Sequence, residues 1–125
     1  MDAPKALVAD DEPYVVTLLS RVLGKNGWEV ITASSHSEAA STVQKSPEAF
    51  RLVILDVEMP GPPVEETITT IRAAGFTGGL YVSSGMTAGE RKESIESMID
   101  GAFLTKPYDP HLLAKRVESW KTTTV

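Results

Sequence analysis

The run Leu52-Val53-Ile54-Leu55 leads directly into Asp56-Val57-Glu58-Met59-Pro60, so four consecutive aliphatic residues are followed by a carboxylate and a proline break. Such a run has no polar alternation to give it a wet face. It predicts a strand covered on both sides, as in the middle of a parallel sheet. Asp56 is then expected where that strand leaves the core, and ligands of open α/β sheets bind outside those carboxyl ends. An acidic residue after a buried strand is by itself also a common turn former or helix cap, so the meaning of Asp56 depends on the rest of the chain.

The flanking segments repeat one unit. Ala6-Leu7-Val8-Ala9 reads as a short strand that runs into Asp10-Asp11-Glu12-Pro13, after which Val15, Leu18, Leu19, Val22 and Leu23 recur at helical spacing. Pro13 suits the first helical position with an acidic cap ahead of it, and Gly24-Lys25-Asn26-Gly27 suits the helix end. Trp28 through Ala33 has the β-branched and aromatic content of a second strand; Ser35-His36-Ser37-Glu38 has the spacing of a capping box for a helix through Lys45, closed by Pro47. His36, at that helix start, is expected on the surface.

After the central strand, Val64, Ile68 and Ile71 share a helical face up to Gly75. Leu80-Tyr81-Val82-Ser83-Ser84 reads as strand four, and Thr87-Ala88-Gly89-Glu90 as a capping box before a polar helix with Ile95, Met98 and Ile99 inward. Ala102 through Lys106 reads as strand five. Asp109-Pro110 then opens a last helix with the stripe Leu112, Leu113, Val117 and Trp120. Strands alternating with helices require crossover connections and hence a parallel sheet. The expected fold is α/β, a doubly wound, flavodoxin-like, five-stranded (βα)5 sheet of strand order 2-1-3-4-5.

A chain of 125 residues is the size of one domain, and residues 1–125 are read as such. The lack of cysteine excludes disulfides and thiolate metal sites. A net charge of -5, with no basic run longer than Arg91-Lys92 or Lys115-Arg116, argues against direct nucleic-acid binding. No apolar run is long enough to span a bilayer and the N-terminus does not resemble a signal peptide, so a cytoplasmic location is expected.

In the expected sheet the strand ends share one edge, which brings together Asp10, Asp11, Asp56, Ser84 and Lys106. Facing carboxylates repel and raise one another's pKa unless a cation intervenes; oxygen-only ligands with room for water suit Mg²⁺. Taken singly, each position has an ordinary explanation: a helix-start charge cluster for Asp10-Asp11-Glu12, an ion pair for Lys106, a helix cap for Ser84, core for Phe103. The combination is what points to one mechanism.

That combination resembles the receiver domain of two-component response regulators. It is carried by Asp10-Asp11, by Leu55-Asp56-Val57-Glu58-Met59-Pro60, by Ser84-Gly85 and by Phe103-Leu104-Thr105-Lys106-Pro107, and it covers nearly the whole chain. The resemblance implies that Asp56 accepts a phosphoryl group from a sensor histidine kinase or histidine phosphotransfer protein in a phosphorelay. It implies Mg²⁺ held by the Asp11 and Asp56 side chains and the Glu58 backbone carbonyl, with Asp10 assisting through water. Lys106 and Ser84 then contact the phosphoryl group, Ser84 and Phe103 act as the switch, and the surface of helix four, strand five and helix five carries the signal to an effector domain or protein, with a phosphorylation-dependent homodimer as one form of output. A cis Lys106-Pro107 bond is implied as well. Such a domain catalyses only its own phosphorylation and dephosphorylation.

The chain departs from the usual family pattern at Pro63-Val64, where Asp-Gly is common, at Phe103, where Tyr is commoner, and at Arg51, where an acidic residue is frequent. Glu58, two residues past the acceptor, is expected to reach the edge of the phosphoryl site and to tune the life of the phosphorylated state. Two rival readings are a pseudo-receiver that acts as a protein interaction module and a small Mg²⁺-dependent phosphohydrolase. Retention of Asp11, Asp56, Ser84 and Lys106 favours a switch. The absence of an effector domain leaves open a stand-alone regulator or one domain of a longer protein.

Overall fold

The computed structural model describes residues 3–85 and 90–122. In chain order the elements are β1 (Lys5–Ala9), α1 (Pro13–Lys25), β2 (Glu29–Ala33), α2 (His36–Lys45), β3 (Phe50–Asp56), α3 (Val64–Ala73), β4 (Gly79–Ser84), α4 (Glu90–Glu96), β5 (Phe103–Thr105) and α5 (Pro110–Arg116). Short 3-10 turns cover Pro47–Ala49 and Glu118–Lys121. The strands form one parallel sheet in the order β2-β1-β3-β4-β5. This is the doubly wound, flavodoxin-like topology expected from the alternation of strands and helices.

The aliphatic run of β3 divides its side chains between two cores because successive strand residues face opposite ways. Val53 and Leu55 join Leu7, Val64, Ile68, Ile71, Leu80, Val82 and Ile95 on the face covered by α2, α3 and α4. Leu52 and Ile54 join Ala6, Val8, Leu19, Val22, Leu23, Leu113 and Val117 on the face covered by α1 and α5. Register then brings the carboxyl ends level. Leu55 pairs with Ala9 on one side, Asp56 with Ser83 on the other, and Ser84 with Thr105 beyond.

Several local expectations are corrected. His36 is fully buried, not on the surface. Its backbone N–H donates to Pro60 O at 3.0 Å and its Nε2 lies 3.3 Å from Val57 O. The loop from Val57 to Pro63 folds down over the start of α2, and Gly61, at φ +113°, sits where an added Cβ would lie 3.2 Å from His36 Cβ. The imidazole thus serves the Val57 carbonyl and the His36 N–H the Pro60 carbonyl, both in a loop outside the sheet.

Glu12 occupies the N-cap position of α1 but makes no side-chain cap. Its N–H donates to Asp10 Oδ1 at 2.9 Å, and its carboxylate turns to Lys106 instead. The capping box at α2 closes one residue early: Ser35 Oγ accepts from Glu38 N at 3.1 Å, but Glu38 Oε1 accepts from Ser34 N at 2.7 Å. Leu112 is 60 % exposed because the inward stripe of α5 begins one residue, or about 100° of helix, later at Leu113. Trp28 is buried but precedes β2, and β5 keeps only the middle of its expected span. The box predicted at Thr87-Ala88-Gly89 lies outside the described residues.

Candidate functional site

Asp10 follows β1, Asp56 ends β3, and Lys106 follows β5, so three strands of one sheet aim charged side chains into a single space at its carboxyl edge. One oxygen from each of Asp10, Asp11 and Asp56 lies within 4.8 Å of the other two. Asp10 and Asp56 are buried and Asp11 is exposed, so the cluster is open to solvent on one side. Lys106 Nζ sits 2.9 Å from Asp10 Oδ2, 3.1 Å from Glu12 Oε1 and 3.3 Å from Asp56 Oδ2. The peptide between Lys106 and Pro107 is cis, as the resemblance implied.

Burial and the Asp10 charge raise the Asp56 carboxyl to about 7, against the opposing pull of Lys106 and the Glu58 N–H. The Lys106 pKa is raised as well, which for an amine favours the charged form. Burial alone would lower it, but the bond to Asp10 and the charges of Asp56 and Glu12 outweigh burial and hold the ammonium well above the usual lysine range. A permanent cation is therefore fixed among three carboxylates, those of Asp10, Glu12 and Asp56, and one lysine does not cancel the repulsion of the whole cluster. Tyr108 lines the same corner; burial and then Asp10 push its phenol up to about 12, so it stays neutral.

The turn after β3 supplies further contacts. Glu58 N–H donates to Asp56 Oδ1 at 3.2 Å, orienting the Asp56 carboxylate. The Glu58 side chain crosses to the end of β4, where Ser84 Oγ donates to its carboxylate at 2.9 and 3.0 Å and Gly85 N–H donates at 2.8 Å. Ser84 is thus beside the acidic cluster and engaged with Glu58. Phe103 opens β5 opposite Val82, partly buried, with the Lys92 ammonium 5.8 Å from its ring centre.

Of the residues read from the chain, Asp10, Asp11, Asp56 and Lys106 meet directly; Ser84 meets them through the Glu58 turn, and Phe103 stands one strand away from β3 and β4's shared end. The reach of Glu12 to Lys106, the burial of His36 and the place of Tyr108 were not anticipated. Only Tyr108 left a signal, as an aromatic residue immediately beyond the Lys106-Pro107 pair.

An open parallel sheet with an acid cluster and a lysine at its carboxyl edge defines a doubly wound α/β module of the flavodoxin-like class. Residues 6–118 match the response regulator receiver domain family, and the chain belongs to it. The sensor protein GacS of Pseudomonas syringae pv. syringae is 32% identical over 124 residues, covering 94% of this chain and 13% of that protein. The transcriptional regulatory protein YvrH of Bacillus subtilis is 29% identical over 119 residues, covering 95% of this chain and 49% of its own length. The chain therefore spans about half the length of such regulators and a much smaller share of the sensor protein. Among solved structures, the chemotaxis response regulator CheY4 of Vibrio cholerae superposes with a TM-score of 0.81 at 27% identity, covering 94% of this chain and 98% of that one.

Proposed function

We propose that this chain is a phosphorylatable receiver in which Asp56 takes a phosphoryl group from a phosphohistidine of a sensor kinase or histidine phosphotransfer protein. The observation that carries the reading is the position of Lys106 Nζ, 2.9 Å from Asp10 and 3.3 Å from Asp56. A carboxylate and a phosphoryl donor are both anionic, so attack requires positive charge already in place where negative charge gathers in the transition state. Lys106 supplies part of it without reorganisation.

The three-carboxylate cluster fits a hard divalent cation, because its donors are all oxygen and one side is open to water. Asp11, Asp56 and the Glu58 carbonyl would hold Mg²⁺, with Asp10 assisting; the ion, when bound, supplies the charge cancellation that lets Asp56 stay ionised at neutral pH. Asp56 is the nucleophile, oriented by the Glu58 N–H. Lys106 and Ser84 then bind phosphoryl oxygens, and movement at the end of β4, with rotation of Phe103, changes the surface of α4, β5 and α5. Partners follow from this: a kinase or phosphotransfer protein as donor, an effector domain or protein as reader, and a homodimer as one form of output. The location proposed is the cytoplasm, and the domain acts chemically only on itself.

Incubation with acetyl phosphate and Mg²⁺, followed by intact mass measurement, tests the proposal. Wild type is expected to gain one phosphate and Asp56→Asn none. An unmodified wild type, or modification that survives Asp56→Asn, overturns it.

A further inference from the structure

Glu58 makes contacts that an acidic side chain so near a phosphoacceptor would not be expected to make. Its carboxylate takes two neighbouring donors at once, the buried Ser84 hydroxyl at 2.9 and 3.0 Å and the Gly85 N–H at 2.8 Å. Adjacent hydroxyl and amide donors turned toward one point form a small anion cradle, and charge-assisted bonds of this length are strong. Here the anion in the cradle belongs to the chain itself.

The neighbouring cation does not account for this placement. Arg91 is close enough for its charge to interact with that of Glu58, yet its guanidinium donates to Glu65, at 3.0 Å from Nε and 2.7 Å from Nη2. Glu58 is held by uncharged donors at the end of β4, not by an ion pair with Arg91. It also springs from the turn whose N–H orients Asp56, so the cradle and the acceptor are joined by one short stretch of chain.

We propose, resting on the receiver reading above, that the Glu58 carboxylate is a built-in competitor for the phosphoryl group: it fills the Ser84–Gly85 cradle in the unphosphorylated chain and must leave it before a phosphoryl oxygen on Asp56 can be bound there. Two anions cannot share these donors, and the incoming one is repelled by the resident one until it moves. The cleft of about 500 Å³ lined by Val57, Met59, Gly61, Pro62, Pro63, Glu65 and Arg91 adjoins the turn and gives the displaced carboxylate room beside the Arg91–Glu65 pair. Glu58 thereby raises the threshold for activation. It also keeps the end of β4 held inward before any phosphate arrives.

Beryllofluoride with saturating Mg²⁺ is the probe, titrated against wild type, Glu58→Asp, Glu58→Gln and Glu58→Ala, with the Gly85 amide followed by NMR in the unligated proteins. Glu58→Asp is decisive because it keeps the charge and shortens the reach by one methylene. Competition by contact predicts that Asp and Ala variants bind beryllofluoride about tenfold tighter than wild type, the equivalent of one charge-assisted hydrogen bond, and that the Gly85 amide shifts in both before ligand is added. In a Ser84→Ala background the Glu58→Asp gain should shrink at least severalfold. An Asp variant that matches wild type while Gln binds tighter would show a field effect only and overturn the proposal, as would equal affinity throughout. Binding by the Asp and Ala variants with none by wild type supports it in its strongest form. No binding by any of the four, together with no mass gain from acetyl phosphate, refutes the receiver reading itself and the competitor with it.

Discussion

Two parts of the sheet are built to different depths: β3 with its neighbours β1 and β4 forms the deep half, and the edge strand β5 with α4 the shallow half. β1 and β3 are buried along nearly their whole length, and β3 feeds both cores; β5 has three residues of which only Leu104 is buried, and α4 places only Ile95 fully inward among its described side chains. Asp56 stands at the end of the deep half, while Lys106 and the surface around α4 belong to the shallow half. A nucleophile needs a fixed position, whereas a reporting surface needs alternatives separated by little free energy, and shallow burial provides them.

Core truncation should expose this difference most clearly. Ile54→Ala, at a site 1% exposed, is expected to cost about 4 kcal/mol in urea melts, against about 1 kcal/mol for Phe103→Ala at its partly exposed site. Equal costs would mean that the shallow half is as firmly built as the deep one.

Next comes the charge held at the deep end. Because the Asp56 carboxyl is raised to about 7 by burial and by Asp10, the folded chain binds more protons than the unfolded one between about pH 4 and 7. Stability without divalent ions should therefore fall as pH rises through that window, by on the order of 4 kcal/mol. Asp56→Asn should flatten the curve, and millimolar Mg²⁺ should restore stability at pH 7 in wild type but not in Asp11→Ala. Thermal melts across pH decide it. A pH curve unchanged by Asp56→Asn would remove Asp56 as the strained group.

His36 gives the opposite slope. Burial lowers its pKa despite the hydrogen bond to the Val57 carbonyl and the Glu65 charge, so below its ordinary value of about 6.5 the unfolded chain takes the proton first. Its contribution is intact above that value and is lost as pH falls toward the lowered one. His36→Gln should lessen the acid-side loss specifically, by a smaller amount than the Asp56 effect.

The smallest effect belongs to the shallow half's surface. Arg91 and Glu65 tie α4 to α3 with a bond at 2.7 Å, but the arginine side chain is half exposed, so Arg91→Ala should cost only about 0.5 kcal/mol. A cost several times larger would show that α4 depends on this tie more than on Ile95.

The strands, their parallel order and the convergence of Asp10, Asp11, Asp56, Ser84 and Lys106 were readable from the chain. Each depends on short-range pattern: unbroken aliphatic runs, helical spacing between them, and polar residues where the runs stop. The misreadings share a different cause. His36 looked like a surface residue at a helix start because nothing local shows that Val57 to Pro63 will fold over it. Glu12 looked like a cap for α1, but its carboxylate meets Lys106, 94 residues away. Leu112 was placed inward by counting apolar residues, although the wall that α5 meets decides which side of the helix is covered.

By itself, then, the sequence determined an α/β sheet with a polar carboxyl edge, since burying those aliphatic runs on both faces leaves no other arrangement for strands joined by helices. Only the tertiary structure decided which partner each polar group takes: Glu12 with Lys106, His36 with the Val57 carbonyl, and Glu58 with Ser84 and Gly85. Hydrogen bonds and ion pairs form across a few ångströms of space. Distances that small between remote segments are set by how the helices and loops settle on the sheet, which no stretch of chain carries alone.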